Sequence, residues 1–292
     1  MQGVGDDCAR LQVRAGHELA VTTDMLIEGR HFLPGAGPRA LGHKALAVSL
    51  SDLAACGATP RWFTLAVALP LADEHWLKSF SEGLFALADR HGVELVGGDT
   101  TRGPLAIDIT ALGEVPAGQA LSRAGARPGD DLWVSGELGG AALGLAHPEI
   151  RAAAKRLHQP EPRVALGERL RGLAHAAIDV SDGLAGDLGH ILERSAVGAV
   201  VRYQDIPKDA SLVNLKNEEL EKQCVLSGGD DYELLFTAGR EVREKIEALG
   251  GELKLRLSRI GSIENEKRKL TILDSGNRPM AHEGGYDHFA AA

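Results

Sequence analysis

The chain has 292 residues, of which 44% are hydrophobic and 25% are charged, a composition typical of globular proteins. Its formal net charge of −9 argues against a general nucleic-acid-binding protein, because phosphate backbones are bound by basic surfaces. The three cysteines and the lack of any run of 18 apolar residues argue against a disulfide scaffold and against a membrane protein, so we expect a soluble, cytoplasmic chain.

The first part of the chain alternates apolar strand patterns with amphipathic helix patterns. In chain order, these patterns predict a strand at 18–26, a helix at 38–57, a strand at 61–70, a helix at 72–92, and strands at 93–99 and 105–115. Pro38 suits the first turn of the first helix, and Gly57 suits the position just after its end.

A Gly- and Pro-rich stretch at 116–131 interrupts this alternation and predicts a domain boundary. Beyond it, the patterns predict a strand at 131–136, helices at 139–147 and 162–174, a strand at 176–183, a helix at 184–196, a strand at 198–204, a helix at 209–222, a strand at 231–237, a helix at 240–249, and strands at 253–263 and 268–273. We therefore expect an α/β (α+β) fold with two domains, an N-terminal α/β domain at 1–118 and a C-terminal α/β domain at 128–292.

Aspartates recur where the predicted strands end or the predicted helices begin. They are Asp7, Asp24, Asp52, Asp99, Asp179, Asp182, Asp230 and Asp231. Taken singly, each is better explained as a turn or N-cap residue, although Asp52 lies inside an apolar helix pattern. Taken together they outnumber the nearby Lys and Arg, and converging carboxylates repel one another unless a cation compensates them. Mg²⁺ would do so and would also bind phosphate oxygens.

The stretch "VGGDTTRG" at 96–103 combines such an acid with two glycines and two hydroxyls. We interpret Asp99 as an ion ligand, with Gly97 and Gly98 allowing backbone N–H groups to approach a phosphate closely. Thr100 and Thr101 either add hydroxyl contacts or shape a turn, and the turn is the better interpretation for Thr101.

Several familiar motifs are absent from the sequence. No G-x-x-x-x-G-K-[ST] is present, which argues against a P-loop NTPase. "GAGPRA" at 35–40 follows no buried strand, so dinucleotide binding is not expected there. The histidines show no H-x-x-x-H spacing, which argues against a zinc site.

Seven segments, taken in order, resemble the thiamine-monophosphate kinase family of the aminoimidazole ribonucleotide synthetase superfamily. They are "GDDCA", "TTDMLIEGRHF", "KALAVSLSDLAACGA", "GGDTTRGP", "IDVSDGLAGDLGHI", "SGGDDYELLF" and "GYDHF". The resemblance implies a homodimer whose N-terminal domains pair through their sheets, with ATP bound near that pairing. It also implies transfer of phosphate from ATP to thiamine monophosphate, giving ADP and thiamine diphosphate, with several Mg²⁺.

The same resemblance implies roles for individual residues. Metal ligands would be Asp7, Thr22, Thr23, Asp24, Asp52, Asp99, Asp179 and Asp182, with Asp24, Asp52, Asp99 and Asp179 holding the catalytic Mg²⁺. Nucleotide contacts would be Gly98, Asp99, Arg123 and Ser181, and thiamine-phosphate contacts would be His31, Asp230 and Tyr286.

Two features depart from the family pattern. Asp230 stands where many relatives carry the longer Glu, so we expect a lengthened or water-bridged contact to the substrate. The chain also has less sequence before "GDD" than relatives have, and we expect this to affect the dimer edge. Two alternatives remain open at this point, namely another ATP-dependent member of the superfamily and a non-catalytic protein that binds Mg-nucleotide.

Overall fold

The computed structural model describes residues 5, 7–282 and 284–285. The N-terminal part contains a four-stranded sheet with the order β1-β4-β2-β3, in which only β2 and β3 are parallel. Its elements are β1 (His17–Ile27), α1 (Pro38–Ala55), β2 (Thr59–Leu69), α2 (Glu74–His91), β3 (Glu94–Arg102) and β4 (Ala106–Pro116).

The C-terminal part contains a six-stranded sheet with the order β10-β7-β9-β5-β8-β6, antiparallel except between β10 and β7. Its elements are β5 (Asp131–Ser135), α3 (Gly140–Ala146), α4 (Arg151–His158), α5 (Val164–Leu170), β6 (Ala174–Asp179), α6 (Leu184–Ser195), β7 (Gly198–Arg202), α7 (Ala210–Leu215), α8 (Glu218–Leu226), β8 (Leu234–Ala238), α9 (Arg243–Leu253), β9 (Leu257–Glu264) and β10 (Leu270–Leu273). Short 3₁₀ helices lie at Tyr203–Asp205 and Arg240–Val242. These two mixed sheets with their helices confirm the predicted two-domain α/β (α+β) fold.

Helix α1 lies between the two domains and is buried around most of its circumference. Twelve of its 18 residues are buried, including Lys44, Ser49 and Ser51. One side packs on β1 and β4, and another side packs on α5 and β6. A helix surrounded in this way places its polar side chains in the protein interior, where each needs a partner.

Several predicted elements in the C-terminal domain are corrected by the structure. The predicted helix at 209–222 is two helices, because Lys216 adopts a left-handed conformation and Asn217 caps α8 by accepting the N–H of Leu220. Helix α4 was not predicted, and the helix predicted at 162–174 ends at Leu170. Residues 231–233 precede β8 rather than forming its start, and α9 extends through Leu253, where a strand was predicted.

No helix in the described ranges combines the length and the apolar character that crossing a bilayer requires.

Candidate active site

Helix α1 gathers carboxylates from both sheets around its polar residues. The Ser49 hydroxyl donates to Asp24 Oδ2 on β1 at 2.8 Å. Two residues along the helix, the Ser51 hydroxyl donates to Asp179 Oδ2 at the end of β6 at 2.7 Å. Asp52, the next residue of α1, accepts the hydroxyl of Thr22. Three carboxylates from a strand, a helix and a second sheet thus lie around this part of α1, where Asp52 is near enough to act on Asp24 and Asp179.

Asp52 raises the pKa values of the other two carboxyls. Burial, followed by repulsion from Asp52, raises the pKa of Asp24 to about 6, against the hydrogen bond from Ser49. Burial and the same neighbour raise the pKa of Asp179 well above its usual range. Among the described residues, the neighbouring groups with the largest effects on the pKa of Asp24 and of Asp179 are hydroxyls and other carboxyls rather than cations. The cluster is therefore an anionic site that a bound cation would stabilise.

The donor set fits a metal ion that shares its coordination with a ligand. Among the described residues, no three His, Cys, Asp or Glu side chains are placed to hold one metal ion by themselves. Mg²⁺ is ordinarily bound by one or two carboxylates together with waters and substrate phosphates. Asp24, Asp52 and Asp179 could supply the protein share of such a site.

Asp99 does not lie near Asp24, Asp52 and Asp179 of the same chain. In the sheet register it shares a row with Ala66, Asp108 and Met25, on the face opposite the α1 side. Three strand spacings, about 14 Å, separate β3 from β1. Thr23 also points to this open face, where its hydroxyl lies 2.8 Å from that of Thr110. The roles of Asp99 and Thr23 as metal ligands stay predictions.

The segment "GGDTTR" is a strand and not a turn, so the turn interpretation of Thr101 is wrong. Asp99, Thr100 and Thr101 pair with Ala66, Val67 and Ala68 of β2. Gly98 has a φ of +149°, and a Cβ there would collide with the main chain of Leu65 on that strand. Close packing between strands therefore explains this glycine, while its contact to nucleotide stays a prediction.

Ser181 and Asp182 lie in a loop that a buried carboxylate organises. Asp187, in the first turn of α6, accepts the backbone N–H groups of Ser181, Asp182 and Gly183 at 3.0, 3.0 and 3.1 Å. The sequence interpretation missed Asp187, although an acid five residues after Asp182 in a helical first turn was the available signal. Its position fixes the direction in which this loop presents Ser181 and Asp182.

Arg123 is held at the boundary between the domains by a second residue that was missed. The Ser195 hydroxyl donates to the Arg123 carbonyl oxygen at 3.1 Å and accepts the N–H groups of Gly125 and Ala126. The guanidinium is exposed. Burial, followed by Asp52 and Asp179, raises the pKa of the Cys56 thiol, and the positive charge of Arg123 offsets part of this rise. Arg123 is thus a cation within electrostatic range of the acidic cluster.

A cleft of about 850 Å³ runs beside the cluster and is lined by both domains. Six of the predicted site residues line it, namely Thr23, Asp24, His31, Ser181, Asp182 and Asp230. His31 Nδ1 accepts the backbone N–H of Ile27 at 3.0 Å, so a neutral imidazole carries its proton on Nε2. Asp7 is exposed ahead of β1, and Tyr286 lies outside the described residues, so their roles stay predictions.

Known proteins resemble the chain over nearly its whole length. Residues 5–115 match the family described as AIR synthase related protein, N-terminal domain, and residues 127–273 match the corresponding C-terminal domain. A thiamine-monophosphate kinase of Salmonella typhimurium is 43% identical over 298 residues, covering 99% of this chain and 92% of that protein.

Two solved structures are similar in the same way. A thiamine-monophosphate kinase from Stenotrophomonas maltophilia superposes with a TM-score of 0.89 at 47% identity, covering 95% of this chain and 91% of that one. AaThiL complexed with AMPPCP and TMP gives a TM-score of 0.84 at 28% identity, covering 99% and 93%.

Proposed function

This chain belongs to the thiamine-monophosphate kinase family, and from that premise we propose that it transfers the terminal phosphoryl group of ATP to thiamine monophosphate, giving thiamine diphosphate and ADP. One observation supports this most strongly. A single cleft is lined by residues expected to bind metal, nucleotide and thiamine phosphate, with Asp52 and Asp179 beside it. The complex of the relative with AMPPCP and TMP supports the same pair of ligands.

The acceptor defines what the protein has to supply. A phosphate monoester has a second pKa near 6, so it is largely dianionic at neutral pH and needs no base to deprotonate it. The obstacle is repulsion between two anionic phosphate groups, and catalysis consists mainly of positioning and charge neutralisation. No covalent intermediate on the protein is part of this proposal.

Residues of this chain share that work. His31 and Asp230 contact thiamine monophosphate. Arg123 supplies a fixed positive charge beside the nucleotide, and Ser181 contacts it. Asp24, Asp52 and Asp179 would hold Mg²⁺, with Asp7, Thr22, Thr23, Asp99 and Asp182 as further ligands, and bound Mg²⁺ supplies neutralisation of the phosphate charge.

We propose that the active form is a homodimer. Strand β1 is a sheet edge whose open face exposes four large apolar side chains, Leu19, Val21, Met25 and Ile27, at 43%, 57%, 53% and 38%. Such a face on an edge strand favours pairing with another protein surface, and a second copy offers the same face. We also propose domain limits of 1–118 and 128–292. We propose a cytoplasmic location as well, which the unpaired cysteines Cys8, Cys56 and Cys224 support.

The direct test measures ADP release by the full chain with ATP and Mg²⁺, with and without thiamine monophosphate, and identifies the product by chromatography. We expect ADP release that depends on thiamine monophosphate and on Mg²⁺, with one thiamine diphosphate per ADP. Equal, slow ADP release with and without the acceptor would instead indicate a nucleotide-binding protein or a different acceptor.

A further inference from the structure

Lys44 is a charged side chain in the interior of the protein. It lies on α1, and only 2% of its surface is exposed. A lysine is seldom buried so deeply, because its ammonium group loses hydration that partners have to replace. The partners of the Lys44 ammonium group therefore indicate the role of this residue.

The partners of Lys44 both belong to the substrate cleft. Its Nζ donates to Asp230 Oδ2 at 3.0 Å and to the carbonyl oxygen of His31 at 3.3 Å. These are the two described residues proposed above to contact thiamine monophosphate. Asp230 belongs to the C-terminal domain, whereas Lys44 and His31 belong to the N-terminal domain, so one ammonium group joins both walls of the cleft.

The Asp230 loop is held in an uncommon backbone conformation. Asp230 has a φ of +67° and Tyr232 a φ of +51°, in the left-handed region that aspartate tolerates and tyrosine rarely adopts. Backbone hydrogen bonds hold the loop, because Asp230 N–H donates to Ser181 O and Tyr232 N–H donates to Val180 O. Strain of this kind persists only where the surroundings enforce it, and it clusters at binding sites.

Both oxygens of the Asp230 carboxylate are fixed. Lys44 donates to Oδ2, and the hydroxyl of Tyr232 donates to Oδ1 at 2.9 Å. The side chain of Asp230 is nevertheless 31% exposed in the cleft. Each carboxylate oxygen accepts more than one hydrogen bond, so this anchored group retains acceptor capacity for a ligand.

We propose that Lys44 is a positioning residue for the acceptor substrate, which holds the Asp230 carboxylate and the His31 main chain in the geometry that binds thiamine monophosphate. This inference rests on the proposed function. Aspartate has a short side chain, so the place of its carboxylate depends on a fixed backbone and a fixed partner, and Lys44 provides that partner from the opposite domain.

The test compares steady-state kinetics of Lys44→Met with the wild-type chain, varying thiamine monophosphate and ATP separately. Methionine keeps a similar length in the buried site but has no charge and no donor. We expect the KM for thiamine monophosphate to rise about tenfold or more, whereas the KM for ATP and kcat stay within about twofold. In the background of Asp230→Asn, the Lys44→Met effect on this KM should become smaller, because the two changes share the Lys44–Asp230 interaction and only the Lys44 bond to the His31 carbonyl remains to be lost.

Lys208→Met is the matched control for a purely structural role. Lys208 is also a mostly buried lysine, its Nζ lies 2.7 Å from Glu221 Oε1, and it does not line the cleft. This variant should change thermal stability without changing either KM. If Lys44→Met does not fold by circular dichroism, Lys44→Gln, which keeps an N–H donor without a buried charge, takes its place and should raise the same KM by a smaller factor.

The kinetic results distinguish the role of Lys44 from the kinase activity itself. Unchanged KM values in a folded Lys44 variant, or equal losses for both substrates and in kcat, would overturn the role of Lys44 while leaving the kinase activity in place. A wild-type chain that does not phosphorylate thiamine monophosphate would overturn the proposed function itself, and this inference with it.

Discussion

Single side chains decide how charge is arranged around the cleft. Asp24, Asp52 and Asp179 are kept together by hydroxyl donors from Ser49, Thr22 and Ser51, which stabilise the carboxylates without neutralising them. A few residues away on the same helix, Lys44 neutralises Asp230 directly. Helix α1 thus contacts two different carboxylate sites. The cluster of Asp24, Asp52 and Asp179 has no neutralising side chain among the described residues and would bind cations, whereas Asp230 is neutralised by Lys44 and is proposed to bind the acceptor.

Asp52→Asn tests the anionic cluster. Asparagine keeps the size and an acceptor for the Thr22 hydroxyl, but it removes the central negative charge. We expect turnover to fall about 100-fold or more, because a site for charge neutralisation is lost. In metal-free buffer the melting temperature should stay equal or rise, because repulsion with Asp24 and Asp179 is relieved.

Asp73→Asn is the matched control for this change. Asp73 caps α2 by accepting the N–H groups of His75 and Trp76, and asparagine caps a helix equally well. It should keep wild-type turnover. Near-wild-type activity of Asp52→Asn at limiting Mg²⁺ would remove Asp52 from the metal site.

Asp231 makes stability depend on pH. It accepts the N–H of Gly139 at 2.7 Å, and burial raises the pKa of its carboxyl to about 8. The folded protein therefore keeps a proton that the unfolded chain releases above pH 4, so this group lowers stability progressively as pH rises from about 4 to about 8.

The substitution Asp231→Asn removes this titration while keeping an acceptor for the N–H of Gly139. Urea unfolding at pH 5 and pH 8 measures the loss of unfolding free energy over that interval, and we expect a smaller loss in Asp231→Asn than in the wild-type chain. Equal losses in the two proteins would show that Asp231 is ionised in the fold across this range.

At the scale of elements, strand β3 shows how pairing can override local signals. Its sequence "GGDTTR" contains residues that favour turns, yet it pairs with β2 as far as Arg102. A register shift lies between Phe63 and Thr64 on β2, and Gly98 fits against the main chain just beyond it. A bulge next to a glycine is a common means of bringing two strands this close.

The two adjacent glycines of β3 give a matched pair of substitutions. A Cβ at Gly98 would collide with the main chain of Leu65, whereas a Cβ at Gly97 would lie 3.8 Å from Thr64 Cγ2, an ordinary contact. We expect Gly98→Ala to lower the free energy of unfolding by about 2–3 kcal/mol and Gly97→Ala to change it by less than about 1 kcal/mol. Chemical denaturation measures both, and equal effects would contradict the packing explanation.

At the scale of the whole molecule, the open face of the N-terminal sheet is the surface that a second copy would cover. On β1, Ala20, Thr22, Asp24 and Leu26 face α1, while Leu19, Val21, Met25 and Ile27 face away from it. Asp99 and Asp108 lie in a row of the same open face. Pairing at this face would therefore bury acids together with apolar groups.

Val21→Lys tests the proposed homodimer. A lysine in the centre of a buried apolar interface carries an uncompensated charge, so we expect the mass measured by light scattering to fall from twice 30.9 kDa to 30.9 kDa. Val213→Lys is the control, because Val213 on α7 is similarly exposed at 52% but lies in the other domain. The proposal is contradicted if the wild-type chain is already monomeric, or if both variants keep the dimer mass.

Local sequence patterns were sufficient to predict the local features of this protein. Periodicity, Pro38 and Gly57 predicted α1 to within two residues, and apolar runs located most strands, because these signals act between near neighbours in the chain. Turn-forming residues misled the prediction at "GGDTTR", and the break at Lys216 was missed because a left-handed residue leaves little trace in a polar helix pattern.

Which acids lie near one another depends on the three-dimensional fold. It placed Asp24, Asp52 and Asp179 together around α1 and placed Asp99 on the opposite face of the sheet, although all four look alike in the sequence. It also revealed Asp187, Ser195 and Lys44, whose partners are distant in the chain or on main-chain atoms. Strand order and the burial of α1 set these distances, and both depend on long-range packing that no local pattern encodes.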